Sequence, residues 1–127
     1  MMDKKLFEGV ITPMVTPLIN RGNIDFKGLE KLLDHLINGG VSGVFLMGTT
    51  GEGTSISSRM RKELIKYSVE YVKGRVPVFV SIADCCIEES LNMARYAKEC
   101  GASYLVSALP FYLGLTQAEI VDYYTTI

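Results

Sequence analysis

Two stretches of this chain of 127 residues carry side chains whose types and spacing could do chemistry. The first is Gly48-Thr49-Thr50-Gly51-Glu52-Gly53-Thr54. Its clustered glycines permit tight turns and close backbone approach, and its adjacent hydroxyls directly follow an apolar run. Such a loop can aim backbone N–H groups and threonine hydroxyls at a carboxylate or a phosphate. No Lys-Ser/Thr pair follows the last glycine, so the string is not a P-loop, and it does not match the dinucleotide fingerprint either. A glycine-rich turn whose threonines merely cap the next segment fits the composition equally well. The second stretch is Pro110-Phe111-Tyr112, followed by Leu115-Thr116-Gln117-Ala118-Glu119-Ile120. A tyrosine just past a buried strand can present its hydroxyl for proton transfer. Thr116 and Glu119 have the spacing of a capping box and read as structural.

Other reactive side chains make weaker claims. His35 stands next to Asp34 in a helical stretch and reads as a surface or half-buried residue rather than a ligand. The cysteines Cys85, Cys86 and Cys100 fit neither a zinc site nor a disulfide framework, so no metal is expected and the thiols read as reduced and cytosolic. Cys85 and Cys86 fall at a strand-to-helix junction, where inert packing is the expectation. Glu52, beside a glycine turn, reads as a carboxylate held by backbone N–H groups in a supporting role.

Four short apolar segments would have to position these groups: Gly9 to Val15, Gly43 to Met47, Val76 to Ile82 and Tyr104 to Leu109. They show almost no alternation, which predicts parallel strands covered on both faces. Helical periodicity lies between them. Phe26, Leu29, Leu33, Leu36 and Ile37 share a stripe, with Asp25 as N-cap and Gly39-Gly40 as the stop. Met60, Leu64, Tyr67 and Tyr71 form a second stripe, capped by Ser57 or Ser58 and ended by Gly74. The tyrosines of that stripe read as core or interface. A third helix is predicted from Ile87 to Cys100, with Leu91, Ala94 and Lys98 in register and Gly101 just past its end. A fourth begins near Thr116.

The pattern is βαβαβαβα in units of roughly 30 residues, the size of right-handed crossover units. No linker or low-complexity stretch interrupts it, so residues 1–127 read as one domain without an internal boundary. The balance of 13 Lys and Arg against 14 Asp and Glu leaves a net charge of -1, which argues against a nucleic-acid or anionic-membrane partner. No apolar run reaches the roughly 20 residues of a membrane span. The opening Met1-Met2-Asp3-Lys4-Lys5 lacks the apolar segment of a secretion signal, so a cytoplasmic location is expected. Two fold classes fit, an open doubly wound sheet and a (β/α)8 barrel of which four units are present. Pattern alone favours the open sheet.

The motifs reverse that preference. Gly9-Val10-Ile11-Thr12-Pro13 with Thr16-Pro17-Leu18, then Gly48-Thr49-Thr50-Gly51-Glu52, then Pro110-Phe111-Tyr112, together resemble the dihydrodipicolinate synthase / N-acetylneuraminate lyase family in order and separation. The resemblance implies a (β/α)8 barrel, this chain supplying about the first four units. It also implies a homo-oligomer, tetramer or dimer, that condenses or cleaves pyruvate-like 2-keto acids with an aldehyde through a lysine Schiff base, without a cofactor. Lysine biosynthesis is the process it suggests. By the same resemblance Thr50 would bind the keto-acid carboxylate, Thr49 would join a hydroxyl proton relay, and Tyr112 would reach into a neighbouring subunit's site. The family's Schiff-base lysine would follow Ile127, since Lys27, Lys31, Lys62, Lys66, Lys73 and Lys98 all fall in helical stretches. The third strand ends in Ser81-Ile82-Ala83-Asp84-Cys85 where the family carries a G-T-G-x-N type string, which favours a related keto-acid lyase or aldolase over dihydrodipicolinate synthesis. The chain alone would then be inactive, and the alternative is a non-catalytic half-barrel acting as an assembly or binding module.

Overall fold

The computed structural model describes residues 8–127; the Met1–Lys5 start, with Lys4 and Lys5, lies outside them. Among the described residues the elements follow in this order: β1 (Ile11–Pro13), β2 (Leu18–Asn20), β3 (Asn23–Ile24), α1 (Phe26–Asn38), β4 (Gly43–Leu46), α2 (Ser58–Val72), β5 (Val78–Ser81), α3 (Ile87–Cys100), β6 (Tyr104–Val106) and α4 (Gln117–Thr126). Strands β1, β4, β5 and β6 form one parallel sheet in that spatial order, as the apolar runs predict. Val44 pairs with Val78, and Val80 pairs with Leu105, so neighbouring strands advance in step. Their carboxyl ends therefore lie along one edge of the sheet. Order and direction match consecutive units of a (β/α)8 barrel rather than the reversed order of a doubly wound sheet.

The strands are shorter than the apolar runs that announce them. At β4 the cause is local: Met47 adopts a left-handed backbone (φ 60), which ends the ladder one residue earlier than expected. At β5 the run begins with Val76-Pro77, and Pro77 has no N–H to donate. An antiparallel hairpin, β2 with β3, is an addition to the expected pattern. It turns through Arg21-Gly22, and the Asn20 side chain accepts from the Gly22 N–H and the Asn23 amide at 3.0 Å each.

Helix ends follow the predicted chemistry. Asp25 accepts from the Gly28 N–H at 3.0 Å, and Ser57, not Ser58, accepts from the Met60 N–H at 3.3 Å. Gly101 takes φ 89 at the end of α3. Thr116 and Glu119 make the full capping box that starts α4, and bonding to the Thr116 backbone and then to its hydroxyl holds the Glu119 carboxyl below its usual range.

The core lies between the sheet and its helices, with Val44, Leu46, Val78 and Val80 meeting Leu29, Leu33, Leu64, Ile65 and Met93. The inward stripe of α3 differs from expectation. Ser90, Met93 and Ala97 are buried, whereas Leu91 and Ala94 are half-buried and Lys98 is exposed. The buried face of α3 thus mixes the small Ser90 and Ala97 with the large Met93. Tyr67 and Tyr71 are half-buried between α1 and α2, with hydroxyls donating to Glu30 and Asp34. Among the described residues no helix is long and apolar enough to cross a membrane.

Candidate functional site

The loop after β4 is built by close backbone packing. A Cβ on Gly53 would sit 2.1 Å from the Met47 carbonyl oxygen, and one on Gly51 would sit 2.8 Å from the Met14 carbonyl oxygen. Both contacts are with backbone that cannot yield, so close approach, not positive φ, demands glycine here. The Gly51 and Gly53 N–H groups both donate to the Gly48 carbonyl. Thr16, from the segment after β1, ties the loop down by donating to the Gly51 carbonyl at 2.6 Å. Glu52 departs from expectation: it is exposed with a left-handed backbone (φ 53), and no backbone N–H among the described residues binds its carboxylate. Its backbone, not its charge, closes the turn.

That loop borders a cavity of about 570 Å³ at the carboxyl ends of β4, β5 and β6. Phe45, Met47, Gly48, Thr49, Glu52, Thr54 and Ser55 form one wall, Ser81 and Ala83 the floor, and Val106, Ala108, Leu109 and Phe111 the far wall. A second hollow of about 370 Å³ lies on the helix side, lined by Phe26, Lys62, Tyr67 and Tyr96 among others. The first lies where strand-end loops converge, which is where parallel βα folds place their ligands.

Thr49 lines this cavity; Thr50 is exposed beside it and does not. Tyr112 is 86% exposed and does not line the cavity, although its neighbour Phe111 does. The far wall is anchored from α4, where the buried Tyr123 hydroxyl donates to the Ala108 carbonyl at 3.2 Å. His35 and the six helical lysines are exposed, as read from the sequence. Cys85 and Cys86 are also exposed, against the packing role expected for them. They stand on the turn into α3, outside the core that the apolar stripe suggested. Among the described residues no cluster of three or more His, Cys, Asp or Glu could hold a metal.

Sequence reasoning puts the Ser81–Cys85 string at the edge of the site through the family resemblance, gives Ser81 and Asp84 no individual role, and does not single out Arg61. Arg61, on the first turn of α2, is only 7% exposed. It donates to the Asp84 carboxylate at 3.0 Å and to the Ala83 carbonyl at 3.2 Å, across 23 and 22 residues of chain. Asp84 also accepts from the Cys86 N–H at 3.0 Å, and Ser81 Oγ accepts from the Ala83 N–H at 3.3 Å. An arginine and an aspartate with no spacing relation are brought together only by the packing of α2 against β5. The one available signal is the departure at Ser81-Ile82-Ala83-Asp84-Cys85.

A parallel sheet of consecutive βα units, with a cavity at the strand ends and a hydroxyl-bearing glycine loop beside it, is the arrangement of part of a βα-barrel. The family model of the dihydrodipicolinate synthetase family matches residues 6–127, and the chain belongs to that family. A 4-hydroxy-tetrahydrodipicolinate synthase of Magnetococcus marinus is 40% identical over 122 residues, covering 96% of this chain and 41% of that protein. The dihydrodipicolinate synthase structure from Bacteroides thetaiotaomicron superposes with a TM-score of 0.89 at 45% identity, over 93% of this chain and 40% of the other. A prophage protein of that family from E. coli K12, solved in complex with pyruvate, gives 0.90 at 30% identity over 95% and 41%. The chain thus spans about two fifths of the length of the relatives it matches.

Proposed function

We propose that this chain is the amino-terminal part of a Schiff-base-forming lyase or aldolase acting on pyruvate or a related 2-keto acid. The observation that carries the reading is the cavity at the strand ends with Thr49 on its rim and the Pro110-Phe111-Tyr112 turn beside its far wall. Thr50, next to Thr49 on the same loop, receives the keto-acid carboxylate through its hydroxyl and backbone N–H. Thr49 serves a hydroxyl relay, which moves a proton without leaving a charge in the site. Tyr112, facing outward, serves the site of a neighbouring subunit in a homo-oligomer. The nucleophile is a lysine on a strand beyond these four. Its amine condenses with the keto carbonyl, water leaves, and the resulting iminium draws electrons from the adjacent carbon. The family's smaller third-strand string is replaced here by Ser81–Cys85, which supports an aldolase or lyase rather than the synthase reaction. The reading places the protein in the cytoplasm.

Amide NMR of the chain tests this reading together with borohydride trapping. Pyruvate is expected to shift the amides of Gly48 to Gly53 while borohydride leaves every lysine unlabelled. Thr50→Val is expected to weaken binding about 10- to 100-fold, since a hydrogen bond to a charged group contributes roughly 1.5–3 kcal/mol. Reductive labelling of a lysine within this chain would overturn the placement of the nucleophile. Absence of any shift in the Gly48–Gly53 amides would overturn the site.

A further inference from the structure

The half-buried Tyr67 of α2 lines the hollow of about 370 Å³ on the helix side. Its ring is held firmly. Phe26 packs on it with centroids 4.4 Å apart, Tyr71 stacks at 6.4 Å with planes 7° apart, and Glu30 accepts from its hydroxyl. Phe26 of α1 and Tyr96 of α3, both half-buried, line the same hollow, so three helices each contribute an aromatic ring. Small-molecule sites are mostly apolar and aromatic recesses of about 300–1,000 Å³, with a few polar groups that orient the ligand. The hollow has that size and that lining.

Charge tells which ligand would suit it. Arg59, Lys62, Glu63, Lys66 and Glu70 recur at helical spacing along the face of α2 that borders the hollow. Arg59 is already committed, donating to the Glu63 carboxylate and to the Gly22 carbonyl at 2.7 Å each. Lys62 and Lys66 enter no ion pair among the described residues. The Lys62 ammonium stands 5.4 Å from the centroid of the Tyr96 ring, within the roughly 6 Å reach of cation–π attraction. That attraction holds a cation beside the aromatic lining. With Arg59 and Glu63 paired to each other, two ammonium groups face one carboxylate, Glu70, and the balance favours an anion. We propose that this hollow binds a small aromatic carboxylate, its ring against Tyr67 and Tyr96 and its carboxylate on Lys62 and Lys66. The hollow shares no lining residue with the strand-end cavity, so this is a second site, independent of the keto-acid chemistry.

Amide NMR titration of the chain with 3-phenylpropanoate tests the proposal. Two further probes divide the ligand: 3-phenylpropan-1-ol keeps the ring without the charge, and hexanoate keeps the charge without the ring. The aromatic acid is expected to move the amides of Arg59 to Glu70 and of Tyr96, and each partial probe to bind about three- to tenfold more weakly. Lys62→Met and Lys66→Met should each weaken the acid about two- to fivefold, the range of an exposed ion pair, and leave the alcohol unchanged. Tyr96→Leu should weaken acid and alcohol alike. Equal binding of acid and alcohol overturns the proposal, as does a Lys62→Met/Lys66→Met double variant that binds the acid as tightly as the parent. Shifts confined to the Gly48–Gly53 amides, or no shift at all, overturn it as well, the first by placing the acid in the strand-end cavity.

Discussion

Removing the carboxylate of Asp84 probes the link between the buried interior and the site. The Arg61 side chain is 8% exposed and its partner 28%, so one end of the pair is dry and the other is partly wet. Breaking a buried pair by deleting one partner costs about 3–5 kcal/mol, because a charge is left uncompensated away from water. Here the guanidinium keeps the Ala83 carbonyl as an acceptor, while its Nε has no partner among the described residues. Partial solvent screening at Asp84 brings the expected cost of Asp84→Ala down to about 2–3 kcal/mol. Arg61→Met should cost less, about 1 kcal/mol, since Asp84 retains the Cys86 N–H and access to water. The double variant should lie close to Arg61→Met alone, giving a coupling of about 2–3 kcal/mol. Urea unfolding reads these values directly. With a denaturant slope of about 1–3 kcal/mol per molar, Asp84→Ala should lower the midpoint by roughly 1 M or more. If Asp84→Ala costs under about 0.5 kcal/mol, or Arg61→Met costs more than Asp84→Ala, the asymmetry argument is wrong.

Gly53→Ala should destabilise the chain by about 1–3 kcal/mol and displace the Thr49–Glu52 amides, because its methyl meets the Met47 carbonyl at 2.1 Å; Gly114→Ala, with nothing within 4 Å, should stay within about 0.5 kcal/mol by thermal unfolding. Hydrogen bonds from Tyr71 and then Arg75 hold the Asp34 carboxyl below its ordinary 3.8, so its contribution is complete above that value and fades as pH falls through the lower folded value. Tyr71 and Tyr67 are pushed above 10.0 chiefly by their bonds to Asp34 and Glu30, so their contribution is whole below pH 10 and is lost as pH rises beyond it. Urea midpoints across pH 2–6 should show a shallower acid slope in Asp34→Asn, and an unchanged slope would count against this bond network.

The elements that local chemistry dictates are legible in the sequence. Asp25, Ser57, Thr116 and Gly101 sit where a cap or a left-handed stop is required, and each acts within four residues of itself. The parallel strands are equally plain as apolar runs, but cover on both faces holds only for the central β4 and β5; the edge strands β1 and β6 are half-buried to exposed, Leu105 by 45%. The β2–β3 hairpin escapes because each strand is only two or three residues long, too short to show alternation. The α3 stripe escapes for a different reason: apolarity marks Leu91 and Ala94, while the buried face runs through Ser90, Met93 and Ala97, and a serine carries no apolar signal. At the site, the glycine loop is legible as a motif. Arg61, Ser81 and Asp84 are not, because their meeting depends on the packing of α2 over β5 and no local spacing encodes it.

The exposure of Tyr112 decides how a relay built on these residues could be arranged. A hydroxyl chain needs donors and acceptors within about 3 Å of one another, and a side chain that is 86% exposed lies outside its own cavity. Within one copy, then, Thr49 and Tyr112 do not form a continuous path. Phe111 and Leu113 on either side are 59% and 71% exposed, so the turn presents three consecutive large side chains to solvent at the end of a buried strand. Solvation gives no advantage to such a cluster, whereas burial against another surface does. An across-interface role for Tyr112 therefore requires the same outward geometry that its neighbours make costly in an isolated chain. On that argument the turn after β6 is the place where the proposed assembly and catalysis would be coupled.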